Sequence, residues 1–168
     1  MTERLKKSLQ AALFAALVCV ATMLVHIPMP ATNGYINAGD AVVFTAAFWL
    51  GPAYAPLAAG LGSALADLFL GYAVYIPGTF VIKGLEALFA ALLYRALRGK
   101  TKLAPIPCAI AGGLWMAGGY LLYEALFLGF GAAALGSLPG NLFQAAGGVV
   151  LCFPLIKGLD AAANRVRK

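Results

Sequence analysis

Apolar residues fill this chain in six long runs, each closed by proline, glycine or charge. The first run predicts a helix over about Leu5–His26, stopped by Pro28 and Pro30, which cannot continue it. A polar loop, Ala31–Asn37, follows. The second run, about Ala38–Leu50, is short and is broken by Gly51-Pro52. The third covers about Ala53–Leu70 and stops at Gly71. The fourth starts after Pro77 and covers about Gly78–Leu97, the fifth Pro105–Leu128, and the sixth Gly140–Leu159. No internal repeat accompanies them.

Composition turns these runs into membrane spans. Of 168 residues, 62% are hydrophobic and 11% charged, with mean hydropathy +0.89. Soluble domains run at roughly 45–50% apolar and about 25% charged. A bilayer helix needs about 20 apolar residues, so six spans with tight turns use nearly the whole length. The expected fold class is all-α: a polytopic bundle of six transmembrane helices, one transmembrane domain over residues 1–168. The first run resembles a signal peptide only superficially. It is longer than a signal core and no A-x-A site follows, so it is read as an uncleaved span. Cys19, Cys108 and Cys152 fall inside apolar runs, with no CxxC, and are expected to be small buried hydrophobes.

Charge sets the orientation. Arg4, Lys6 and Lys7 precede the first span, Arg95, Arg98, Lys100 and Lys102 lie around the fourth-to-fifth turn, and Lys157, Arg165, Arg167 and Lys168 close the chain. The loops near 27–37, 71–77 and 129–139 hold no Lys or Arg. Six spans place all three basic groups on one side, which the positive-inside rule makes the cytoplasm. Both termini are then cytoplasmic, in a multi-pass protein of the cell membrane. The net charge of +6 is accordingly assigned to anchoring in the lipid bilayer, not to nucleic acid.

Five charges remain within or at the edges of the spans: Asp40, Asp67, Lys83, Glu86 and Glu124. Ionisable groups there cost about 2.5–3.5 kcal/mol on insertion scales and mark functional sites by default. All fall in the outer half, as do Asn141 and Gln144 at the start of the sixth span. The inner halves are Ala, Leu, Gly and Val. This describes a pocket open outward and closed inward, and Tyr35, Tyr72, Tyr75, Phe80, Tyr120 and Tyr123 supply aromatic walls. Flat rings with a few convergent polar groups suit a small heteroaromatic ligand. Each residue also has a plainer reading. Lys83 and Glu86, three apart, neutralise each other on one helix face; Asp40 and Asn141 cap their helices; Asp67 caps a helix or binds a loop; tyrosines anchor at the interface. Glu124 has no basic partner in its own span, which makes it the leading ligand contact.

No GxxxxGK[ST], no HExxH, no metal-spaced carboxylate cluster and no Ser/His/Asp set is present, and His26 stands alone. These features predict no enzyme, no metal and no cofactor. Ala11-x-x-x-Ala15 and Ala12-x-x-x-Ala16 in the first span let another helix approach closely. That helix is either a neighbour in the bundle or a partner subunit.

Asn37-Ala38-Gly39-Asp40, Gly51-Pro52, Gly62–Leu68, Pro139–Gln144 and, most specifically, Pro77-Gly78-Thr79-Phe80-Val81-Ile82-Lys83-Gly84-Leu85-Glu86 together resemble the substrate-binding S component of energy-coupling factor (ECF) vitamin transporters. The resemblance is to the riboflavin, pyridoxine and hydroxymethylpyrimidine group and covers essentially the whole chain. It implies capture of a vitamin from outside, and partnership with a transmembrane T component and two ATPase subunits. It also implies a toppling motion that delivers the pocket inward, and it maps the T-component contact onto Ala11 and Ala15. The substrate contacts expected are Glu124, Lys83, Glu86, Asn141, Gln144, Tyr120, Tyr123, Tyr75, Asn37 and Asp40. The alternatives are a standalone secondary transporter and a membrane scaffold subunit.

Overall fold

The computed structural model describes residues 2–101 and 103–166. Among them the chain forms six α-helices and one hairpin: α1 (Glu3–Leu24), β1 (His26–Met29), β2 (Gly34–Asn37), α2 (Gly39–Leu50), α3 (Ala55–Leu70), α4 (Ile76–Leu97), α5 (Pro105–Leu122) and α6 (Leu138–Val166). These are the six predicted helices with adjusted ends. Lys102, Arg167 and Lys168 of the predicted basic groups lie outside the described residues. Four helical stretches are long and apolar enough to cross a membrane, and α2 and α3 are shorter apolar helices. The exterior is apolar, with Leu13, Leu57, Leu92, Leu114 and Val150 exposed, while Lys83, Asp40, Asp67, Glu86 and Glu124 are buried. That distribution suits a protein whose solvent is lipid.

The hairpin corrects the predicted loop. α1 ends at Leu24 because Val25 is extended, and His26, expected in the helix, pairs instead with Asn37 in an antiparallel ladder. Pro28, opposite Tyr35, lacks an N–H but is tolerated because a two-stranded ladder has only edge strands. The turn closes through Asn33 at φ +53, a left-handed conformation that asparagine accepts more readily than most residues.

The fifth run also differs. α5 stops at Leu122 and continues as a π-helical turn over Tyr123–Phe127; a 3₁₀ segment, Gly131–Ser137, then leads into α6. α6 runs past the expected Leu159, with Pro154 inside it.

The shortness of α2 positions the site. Twelve residues span about 18 Å, against roughly 30 Å of hydrocarbon. α2 is nonetheless buried along most of its length, packed on α6, α1 and α4. Its C-terminal part, with Val43, Phe44, Ala46, Ala47 and Leu50, forms the apolar core together with Phe14 and Val18 of α1 and the alanines of α3 and α4. Above its N-terminal end the hairpin and the polar side chains of the other helices fill the remaining depth.

Small residues permit this closeness. A Cβ on Gly62 of α3 would stand 2.4 Å from the Ala15 carbonyl oxygen, and one on Gly148 of α6 would stand 2.7 Å from the Asp40 Cβ. Ala11 and Ala15 are half-buried against the core, whereas Ala12 and Ala16 are exposed. The bundle-facing pair is therefore Ala11/Ala15, and the pair free to meet another chain is Ala12/Ala16. The three cysteines are buried and unpaired.

Candidate functional site

A polar cavity lies under the hairpin, lined by residues from every helix except α2 and from both strands. Its floor is an ionic cluster. Lys83, 2% exposed, bonds Asp40 of α2 and, at 2.9 Å, Glu86 one turn along α4. The helical i,i+3 pairing expected of Lys83 and Glu86 is present and is extended across the bundle by Asp40. Gln144 of α6 ties this cluster to the hairpin: its Nε2 donates to Asp40 Oδ2 at 3.0 Å, and its Oε1 accepts from the Asn37 backbone N–H at 2.7 Å.

Asp40 is not the helix cap that its position suggests. α2 starts at Gly39, and the Asn37 side chain accepts from the Gly39 N–H at 2.8 Å. Asp40 is thereby free to face Lys83. It and Glu86 lie behind the cavity wall, while Lys83, Asn37 and Gln144 line it.

A second cluster centres on Glu124, 1% exposed, at the start of the π-helical turn. The partner it lacked in its own span proves to be hydroxyl, not cationic. Tyr75 lies 3.1 Å from Oε1 while donating to the Thr32 carbonyl oxygen at 2.7 Å, and Ser137 donates to Oε2. π-turns of this kind recur at functional sites because the extra residue re-aims a side chain. Glu124, Tyr75 and Tyr120 line the cavity, Tyr120 sharing a 3.0 Å hydrogen bond with Thr79 and lying 5.8 Å, ring centroid to Nζ, from Lys83. Tyr123 does not line it; its hydroxyl donates to the Val74 carbonyl at 2.7 Å and its ring packs against Gly78.

Asp67 of α3 and Tyr35 of β2 are residues that sequence reasoning undervalued. Tyr35 donates to Asp67 Oδ1 at 2.5 Å, and both line the cavity. Burial, reinforced by the neighbouring Asp67 carboxylate, pushes the Tyr35 phenol well above its ordinary range, so it remains a donor. The available signal was that Asp67, like Glu124, has no basic partner in its own span. Ser137, in a Gly/Ala-rich loop, offered no such signal.

Two buried polar atoms on the cavity wall lack any hydrogen-bond partner among the described residues: Asp67 Oδ2, an acceptor, and Asn141 Nδ2, a donor. Asn141 sits inside the first turn of α6, not ahead of it as a cap. Unpaired buried groups each cost about 1–3 kcal/mol and are rare in native structures. The free volume between the walls is only about 20 Å³, near the minimum for one water and far below the roughly 300 Å³ or more of a ligand pocket. Admitting a ring thus requires the polar side chains or the hairpin to move apart.

The sequence profile of the family described as "ECF-type riboflavin transporter, S component" matches residues 3–161. A protein of Pyrococcus woesei, "Uncharacterized protein in gap 3'region", is 36% identical over 135 residues, covering 80% of this chain and 88% of that protein. "Thiamine precursor transporter HmpT" of Lactococcus lactis subsp. cremoris is 30% identical over 165 residues, covering 97% and 90%. With that match across its helices and an apolar exterior around a polar heart, this chain belongs to the S-component family of ECF-type riboflavin transporters, multi-pass membrane proteins of vitamin transport.

Proposed function

We propose that this chain is the substrate-binding subunit of an ECF importer in the cell membrane, capturing a small aminopyrimidine-class vitamin precursor from outside. The observation that carries this reading is the unpaired pair on the cavity wall, Asp67 Oδ2 and Asn141 Nδ2. A heteroaromatic ring with a nitrogen acceptor and an exocyclic amino or hydroxymethyl donor satisfies both. Lys83 contributes a further donor: its ammonium has three N–H groups and uses two on Asp40 and Glu86. Carboxyl groups outnumber ammonium groups around the cavity, with Asp40, Asp67, Glu86 and Glu124 against Lys83, which favours a ligand rich in donors. Tyr75 and Tyr120 provide faces for the ring. The relative named as a thiamine precursor transporter agrees with this choice over the larger riboflavin.

Energy comes from partners in this reading: a transmembrane T component and two ATPase subunits, with no catalysis by this chain. Calorimetric titration of the purified protein with hydroxymethylpyrimidine, pyridoxine and riboflavin tests the ligand, and mass spectrometry of any co-purifying small molecule tests it independently. The aminopyrimidine should bind tightest. Tighter binding of riboflavin overturns the class. Binding to none of them, by a folded protein, favours a scaffold role. Uphill uptake into liposomes holding this chain alone favours a secondary transporter.

A further inference from the structure

At the opposite end of the bundle from the vitamin cavity, the start of α1 and the ends of α2 and α4 enclose a second concavity of about 130 Å³. Lys7, Arg95 and Arg98 line it, and among the described residues none of them has a carboxylate within ion-pair reach. Three like charges brought from two helices to one small space repel each other, and although Arg95 and Arg98 reach solvent and Lys7 is half-buried, an anion among them relieves that repulsion. Half-buried Trp49 and Tyr94 share the wall; such residues sit at the level of lipid headgroups. The flanking α4 surface, with exposed Leu92, is apolar.

We propose that this concavity binds a phosphate group, that of an anionic phospholipid. Arginine suits the role because its planar fork meets phosphate oxygens in pairs, and basic pockets between spans on the cytoplasmic side hold anionic headgroups. The small volume, the aromatic rim and the adjoining apolar surface of α4 favour a compact headgroup with its chains in the bilayer over an acidic protein surface. The site is independent of the vitamin reading, since Lys83 and the hairpin lie at the far end.

The test is native mass spectrometry of the full chain released from detergent carrying phosphatidylglycerol or phosphatidylcholine. The wild type should retain phosphatidylglycerol in preference. Lys7→Gln/Arg95→Gln/Arg98→Gln should weaken that retention about a hundredfold, from about 1 kcal/mol per cation. Arg4→Gln/Lys6→Gln, equally basic positions outside the concavity, should leave it unchanged, and circular dichroism should show both variants folded. Inorganic phosphate that displaces the lipid identifies the free anion as a second source of the same chemistry; failure to displace assigns the site to the lipid alone. Equal retention by wild type and triple variant overturns the proposal. So does unchanged retention with lost co-purification of the ATPases, which identifies a protein-docking patch instead.

Discussion

The Tyr35 hydroxyl of the hairpin donates to Asp67 at the end of α3 over 2.5 Å, 32 residues away in sequence. This bond, the Tyr75 bond to the Thr32 carbonyl and the Gln144 bond to the Asn37 N–H fasten the hairpin over the cavity. Tyr35→Phe removes the first of them and leaves Asp67 with both oxygens unpaired. Loss of about 1–3 kcal/mol is expected. It should appear as faster cleavage near the hairpin turn in limited proteolysis and as a faster ligand off-rate.

Lys83→Met should be the most damaging single change in the ionic floor. It strands Asp40 and Glu86 as neighbouring buried carboxyls, and breaking such a pair from one side costs about 3–5 kcal/mol. Adding Asp40→Asn and Glu86→Gln to it should recover much of the thermal stability without recovering ligand binding. Melting temperature and titration, measured on the single and triple variants, separate the two effects.

Asn141→Ala should behave oppositely. The side-chain amide has no partner, so its removal leaves the melting temperature unchanged or slightly raised. Ligand affinity should fall several-fold to about tenfold, the worth of one ordinary hydrogen bond. A large drop in stability would show that the amide serves the fold and not a ligand.

Ala12→Leu/Ala16→Leu, on the exposed stripe of α1, should prevent co-purification with the T component while preserving ligand binding. Ala15→Leu, beside the Gly62 contact, should instead destabilise the isolated chain. If the Ala12/Ala16 variant assembles normally, the partner lies on another face.

A reporter fused after Lys168 should be active only in its cytoplasmic version. Activity on the outer side would contradict the orientation drawn from the Lys/Arg asymmetry. Lys7, Arg95 and Arg98 share one concavity, so the first two basic groups lie at the same end of the bundle.

The helices were legible because uninterrupted apolar runs closed by Gly or Pro admit few other readings. The hairpin was not: His26-Ile27-Pro28-Met29 has no alternation of apolar and polar positions, and Pro28 and the following Pro30 read as breakers. Lys83, Glu86 and Glu124 stood out because charge within an apolar run is expensive. The Lys83–Glu86 pair was legible from its spacing, but the other partners of Lys83 and Glu124 were hidden, since Asp40, Tyr75 and Ser137 reach them from 43, 49 and 13 residues away. Asp40 looked like a cap because caps occupy its position; only the fold shows Asn37 taking that task. Tyr123 looked like a wall residue because Tyr120, three positions earlier, is one.

A twelve-residue helix standing among longer ones leaves a shaft above its head. The protein therefore obtains its chamber by omission, without bending or prying apart any two helices. The packing around Val43 and Phe44 can then stay fixed while the plug of hairpin and polar side chains changes. Adding one turn to the start of α2 would occupy the shaft with backbone and should yield a stable bundle with nowhere to put a ring. Trimming the hairpin instead should widen the range of ring sizes admitted, leaving the rest of the molecule undisturbed.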